Sequence, residues 1–345
     1  MNMRLVNFNH HMVCGICLML ALQGCNEEST SHTSFSPAVP ADELRGFIEK
    51  VKANLVFVEG GKFLMGDFGP EYAPEHLPYD MKKHSRPLHE VELSSYSMSK
   101  FKVTNAEFQF YLRASALQLR DDGASPKSEW DQMNSRADTP AHVDWFESEN
   151  YCNWLAVVTG LPFALPTEAQ WEYAARSRGQ FLMVATDDGT YKAESYDLVT
   201  EEYFPRGINI SSFGNVEAFA EEMGWTTGNM SPLPVAMFPP NPLGMYSMTD
   251  NGYEWVSDWY DPDYYSYSPL KDPKGPEKPM IKDAFGRYTK VLRGQGGADP
   301  WWGGGANVFR TKIDPLGSIS RDGSPSLFDK TTRCVVNSPA PVVTE

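Results

Sequence analysis

Four stretches of the chain carry helical signals, either an apolar stripe or the chemistry of a capped start. Between Asp42 and Ala53, Leu44, Phe47, Ile48 and Val51 recur at helical spacing and predict a short amphipathic helix. Thr104-x-x-Glu107 is a capping box that opens a helix to about Ala114, and Asp144-x-x-Glu147 opens one through Val158, ended by Gly160. Thr167, with Gln170 three residues on, starts a helix to Ala175. Asn54 to Gly66 alternates like a strand pair turning at Gly60-Gly61, and Val91 to Met98 reads as a strand. Phe68 to Pro87 and Leu117 to Asp138 read as loops, and Thr186 to Thr227 is acidic and carries no assigned element. From Val256 onward short strands alternate with Gly and Pro turns. Few helices, short strands and long loops predict an α+β class.

Charge removes some functions. Net charge is −15 over 345 residues with no basic patch, which opposes nucleic-acid binding and anionic membrane surfaces. Residues 1–24 read as a signal segment, because Met12 to Leu22 is apolar but too short to span a membrane comfortably. That run ends LALQGC, which resembles a bacterial lipobox with Cys25 as the lipidated residue. The expectation is a lipid anchor at Cys25, with Asn26 favouring the outer membrane facing the periplasm. Asn26 to about Ala41 is Ser/Thr/Pro-rich, a flexible tether. Residues 42–338 then form one domain, and 339–345 a tail. Cys14 and Cys17 form a CxxC, but both lie in the segment expected to be removed.

The rest of the chain is organised around Pro234 to Tyr260. Asn241 to Gly244 and Asp250-Asn251-Gly252 are turns, and Met245, Tyr246 and Met248 between them are apolar. Ser247, Asp250, Asn251, the Gly252 carbonyl and Glu254 are oxygen donors spaced to wrap a hard cation such as calcium; the alternative is that they cap turns.

NPLGMYSMTDNGYEWVSDWY resembles the signature block of the formylglycine-generating enzyme (sulfatase-modifying factor) family. NLVFVEGGKFLMG, VELSSYSMSKFKVTNAEFQFYL and TPAHVDWFESENYCNWLAVVTGLPFALPTEAQWEYAARSRG agree with three more of its blocks, in order. KVLRGQGG and TTRCVV resemble its last two. The resemblance covers roughly Asn54 to Asn337. It implies the family's fold, related to C-type-lectin-like folds and poor in regular structure. It also implies a structural calcium at Ser247, Asp250, Gly252 and Glu254, with half of a second site at Asn209-Ile210. Cys152 and Cys334 match positions bridged in some members, and an even pair in an oxidising compartment points the same way.

The activity is another matter. The family's enzyme oxidises a client cysteine to formylglycine with copper held by two active-site cysteines, since copper(I) prefers thiolates. Aligned on Arg293 to Gly297, their places hold Asp299 and Gly304, so the usual chemistry and its copper are lost. Trp301-Trp302 before three glycines suggest an interface anchor, with burial in the core as the alternative. The resulting expectation is a periplasm-facing lipoprotein, catalytically degenerate, that binds a protein partner as an accessory or effector-immunity factor. The alternative is a metal-dependent oxidoreductase resembling the siderophore-maturation branch of the family, with Asp299, Arg310 and Asp314 as its catalytic groups.

Overall fold

The computed structural model describes residues 38–123, 125–192, 195–197, 202–204, 209–296, 307–318 and 326–344. Helices α1 (Ala41–Ala53), α2 (Gly69–Tyr72), α3 (Asn105–Ala114), α4 (Lys127–Met133), α5 (Trp145–Thr159), α6 (Glu168–Ala175) and α7 (Phe213–Met223) alternate with short strands. The strands are β1 (Leu55–Val58), β2 (Gly61–Met65), β3 (His89–Leu93), β4 (Tyr96–Ser99), β5 (Phe163–Ala164), β6 (Ser195–Asp197), β7 (Glu202–Phe204), β8 (Gly252–Trp259), β9 (Lys290–Gln295), β10 (Arg310–Ile313), β11 (Lys330–Thr331) and β12 (Val335–Val336). This is the α+β class with little regular structure.

Local chemistry explains four of the seven helix starts among the described residues. Thr104 and Glu107, Asp144 and Glu147, and Thr167 and Gln170 each close a reciprocal capping box. Gly160 stops α5 in the left-handed conformation. Three helices lie where no helix was expected, the single turn α2 in the stretch 68–87 being the shortest. α4 sits in the polar stretch 117–138, held by buried Trp130 and Met133, and α7 sits in the acidic stretch 186–227. The α7 start is a fourth capping box, Ser212 with Asn215, a variant that uses Asn in place of Glu or Gln.

The strand pair expected at 54–66 is corrected. β1 and β2 follow one another but do not pair: β1 pairs antiparallel with β4, and β2 with β3. The single strand expected at 91–98 is likewise two strands, β3 and β4, parted at Ser94-Ser95. Each half of one ribbon thus joins a different sheet, so the backbone pairing partners lie about 40 residues away for β1 and about 24–32 for β2, rather than across a tight turn. The two larger sheets run β1-β4-β12-β5 and β10-β9-β8-β11, with β11 parallel to β8.

Two apolar cores hold the elements. In one, α1, α3 and α5 pack through Phe47, Phe110, Tyr111, Tyr151 and Trp154, with the Phe47 and Phe110 rings stacked at 4.2 Å. Each such ring contributes on the order of 2 kcal/mol by leaving water. The other core lies between α6 and the sheets, around Trp171, Met245, Met248 and Val256. Cys152 on α5 is bonded to Cys334, beside β12, at 1.97 Å, and both are fully buried. The expected tether and tail need shortening: Val39 and Val342 both pack against the first core. Residues 1–37, including Cys25, lie outside the described residues.

Candidate functional site

β8 is the element on which the site is built. Its first residue, Gly252, has φ +105°, and a Cβ there would stand 2.6 Å from the Thr331 methyl, so only glycine lets β8 and β11 approach. Gly294 on β9 pairs with the next residue, Tyr253, and a Cβ there would meet the Met248 carbonyl at 2.6 Å. These close approaches bring three consecutive side chains of β8 to different tasks. Tyr253 faces a cavity, Glu254 points into an ionic centre, and Trp255 fills the first core while its indole N–H donates to the Val143 carbonyl at 2.8 Å.

The cavity measures about 280 Å³. Tyr253, His142 and Asp329 give it polar groups, while Phe213 and Val216 of α7, Met230 and Phe328 line it with apolar surface. His142 is buried between the Trp130 and Phe328 rings, and burial pulls its imidazole down to about 4, so it is neutral at physiological pH. Burial pushes the Asp329 carboxyl above its ordinary range and the Tyr253 phenol up to about 12. Gln295 and Gly296 form one border, and from Gly296 the chain enters residues 297–306, outside the described residues. Asp299, Gly304, Trp301 and Trp302 fall in that segment.

The ionic centre is closed off from the protein surface. Glu254 is fully buried and receives Lys102 Nζ at 2.8 Å and Arg333 Nη2 at 2.7 Å on Oε1. On Oε2 it receives Arg333 Nε at 2.6 Å and the Trp171 indole at 2.9 Å. Burial raises the carboxyl, but Arg333 and Lys102 outweigh it and hold Glu254 below its ordinary value. The Gly252 carbonyl accepts from the same Lys102 Nζ at 2.8 Å. Asp250 accepts the Ser211 backbone N–H at 2.9 Å and interacts with the Ser247 hydroxyl. The calcium expected on Ser247, Asp250, Gly252 and Glu254 therefore does not fit, because a lysine ammonium already sits between the Gly252 and Glu254 oxygens. At the second expected half-site, Ile210 is buried, the Asn209 side-chain oxygen Oδ1 accepts the Lys192 backbone N–H at 3.0 Å, and its side-chain Nδ2 donates to Asp187 at 2.8 Å.

A second buried network lies behind α6. Glu168 receives Arg293 at 2.8 Å and Arg310 at 2.6 and 2.8 Å, and Glu172 receives Arg293 at 2.9 Å and Arg176 at 2.8 Å. Arg310, expected as a catalytic group of the alternative reading, is thus spent on Glu168 and on the His84 and Asp261 carbonyls. Asp314 caps its own turn through Leu316 and Ser318. Neither lines the cavity.

A mixed helix-and-sheet fold organised by buried ion pairs, with a cavity beside a glycine-rich strand edge, is the class these observations define. Residues 44–313 match the sulfatase-modifying factor enzyme 1-like domain, and the chain belongs to that family. It is 27% identical to the formylglycine-generating enzyme of Streptomyces coelicolor over 279 residues, covering 70% of this chain and 80% of that one. It is 29% identical over 255 residues to the serine/threonine-protein kinase pkn1 of Chlamydia caviae, covering 69% of this chain but only 33% of the kinase. The fold is similar to that of PvdO from Pseudomonas aeruginosa, with a TM-score of 0.52 at 23% identity, covering 82% and 93% of the two chains.

Lys102, Arg333, Tyr253 and Asp329 escape a reading of the sequence as site residues. Lys102 offers one signal, a lysine between Phe101 and Val103 just before a helix cap. Arg333 offers none.

Proposed function

We propose that this chain is a catalytically degenerate member of its family that binds a protein partner through the face around Tyr253. The observation that carries the reading is the fate of the cysteines. Beyond residue 25 the sequence holds only Cys152 and Cys334, and these are bonded to each other inside the first core. Neither is a free thiol, so the soft ligand pair that copper(I) chemistry needs is missing. What remains beside β8 is a cavity lined by apolar and polar side chains in similar measure, the site we assign to recognition. The LALQGC ending at Cys25 and the acidic surface charge support a lipid-anchored, periplasm-facing molecule whose partner is another protein, as an accessory or immunity factor.

The test uses the chain from Asn26. Incubated with copper and a cysteine-containing peptide, it should form no aldehyde detectable by hydrazide capture. Periplasmic protein cross-linked to it should be lost in Val216→Arg, which fills the cavity with a charge. Aldehyde formation would overturn the reading. Metal-dependent oxygen uptake lost in Asp329→Asn would favour the siderophore-maturation type of oxidation instead.

A further inference from the structure

We infer that the ammonium of Lys102 is the resident cation of the Asp250–Glu254 segment, standing where the oxygen spacing of that segment would call for a metal ion. The inference goes beyond partner binding and concerns how the segment beneath the cavity is held.

The hydrogen-bond inventory closes on both sides. A lysine ammonium has three N–H donors, and Lys102 Nζ places them on Gly252 O at 2.8 Å, Glu254 Oε1 at 2.8 Å and Thr331 Oγ1 at 3.3 Å. The Thr331 hydroxyl gives its own proton to the Tyr253 carbonyl at 2.7 Å, leaving its oxygen free to accept from Lys102. A carboxylate has about four acceptor positions, and Glu254 fills them with Lys102, two nitrogens of Arg333 and the Trp171 indole. No Glu254 lone pair is left to coordinate a metal.

The charge count agrees. Lys102, Glu254 and Arg333 are all fully buried, and Asp250 is buried nearby. Two cations face two carboxylates, so the cluster is close to neutral. A divalent ion added to it would bring two uncompensated charges into a water-free volume, which is strongly unfavourable. Removing the lysine reverses the balance and leaves the Gly252 carbonyl without its donor. One side chain therefore ties the approach to α3 to the start of β8 and the end of β11, the three strands of chain that meet at Gly252.

The site can be read with terbium, which enters calcium sites and is lit by a nearby tryptophan. Trp171 already touches Glu254, so a metal there would be sensitised. Wild-type chain from Asn26 should show no terbium emission that calcium displaces and that Trp171→Phe, checked by circular dichroism, removes. Such emission would overturn the inference. In the same buffer the wild-type Tm should be equal in millimolar calcium and in excess chelator. Lys102→Met, which keeps the stem and deletes the charge, should lower Tm by about 5–10 °C, the scale for stripping a buried carboxylate of one partner. An unchanged Tm in Lys102→Met would also overturn it. The terbium arm on wild-type protein decides the matter even if that variant fails to fold.

Discussion

Asp258 offers the sharpest test of the buried electrostatics. It is 2% exposed at the end of β8, and its Oδ2 alone accepts both the Glu168 backbone N–H at 2.9 Å and the Ser257 hydroxyl at 3.0 Å. Burial first, and the neighbouring Glu168 carboxylate second, push its carboxyl from 3.8 up to about 7, against a weaker pull from Arg310. The perturbation is Asp258→Asn, which keeps one oxygen for both donors and removes the titration. The sign follows from proton uptake. Between about 4 and about 7 the folded state keeps the proton that the unfolded chain releases, so wild-type stability falls as pH rises through that window. A shift of about 3 units corresponds to a ceiling of about 4 kcal/mol at 1.36 kcal/mol per unit. On roughly 300 ordered residues that is about 6–8 °C in Tm.

The assay is paired denaturant melts of wild type and Asp258→Asn from pH 4 to pH 8. The two should be equally stable near pH 4, with the variant gaining progressively and levelling off above about pH 7. Taking the difference cancels the other buried groups, including His142, whose depressed pKa acts in the opposite direction. Lys290, pulled down to about 8 by burial, does not titrate in the window. Parallel curves would refute the argument. So would wild type gaining on the variant with rising pH, because ionised Asp258 would then be the favoured form.

Two further outcomes are expected. Glu168→Gln leaves Arg293 and Arg310 sharing a neutral partner in a water-free site and should cost about 3–5 kcal/mol, read as a lowered denaturant midpoint at unchanged m-value; a loss under about 1 kcal/mol would show that the network is solvated. Cys152→Ala with Cys334→Ala opens a loop of 182 residues and should cost up to about 5 kcal/mol on the chain-entropy scale, checked by melting with and without reductant. Wild type in reductant should then melt near the double variant.

Local signals carried further into the fold than long-range ones. The capping boxes at Thr104, Asp144 and Thr167 and the stop at Gly160 were legible because donor and acceptor lie within four residues of each other. The Ser212 box was equally local, but its Asn215 is a weaker box partner than Glu, and it lay in an acidic stretch with no assigned element. Strand pairing failed at 54–66 because alternation sets which face of a strand is buried, not which strand lies beside it.

Chain chemistry by itself therefore determined the class, the family blocks, the starts of α1, α3, α5 and α6, and the lack of a free cysteine pair in the domain. It also marked Glu254 as a residue with a charge to satisfy. Which charge satisfies it was decided only in three dimensions. Lys102 and Arg333 lie 152 and 79 residues away along the chain, and the glycine contacts of β8 bring them to one carboxylate. Oxygen donors at the spacing of a cation loop look the same in sequence whether a metal or a lysine completes them. Only folding supplies the competing ammonium, and at 2.8 Å in a dry interior its charge occupies the point a metal would need.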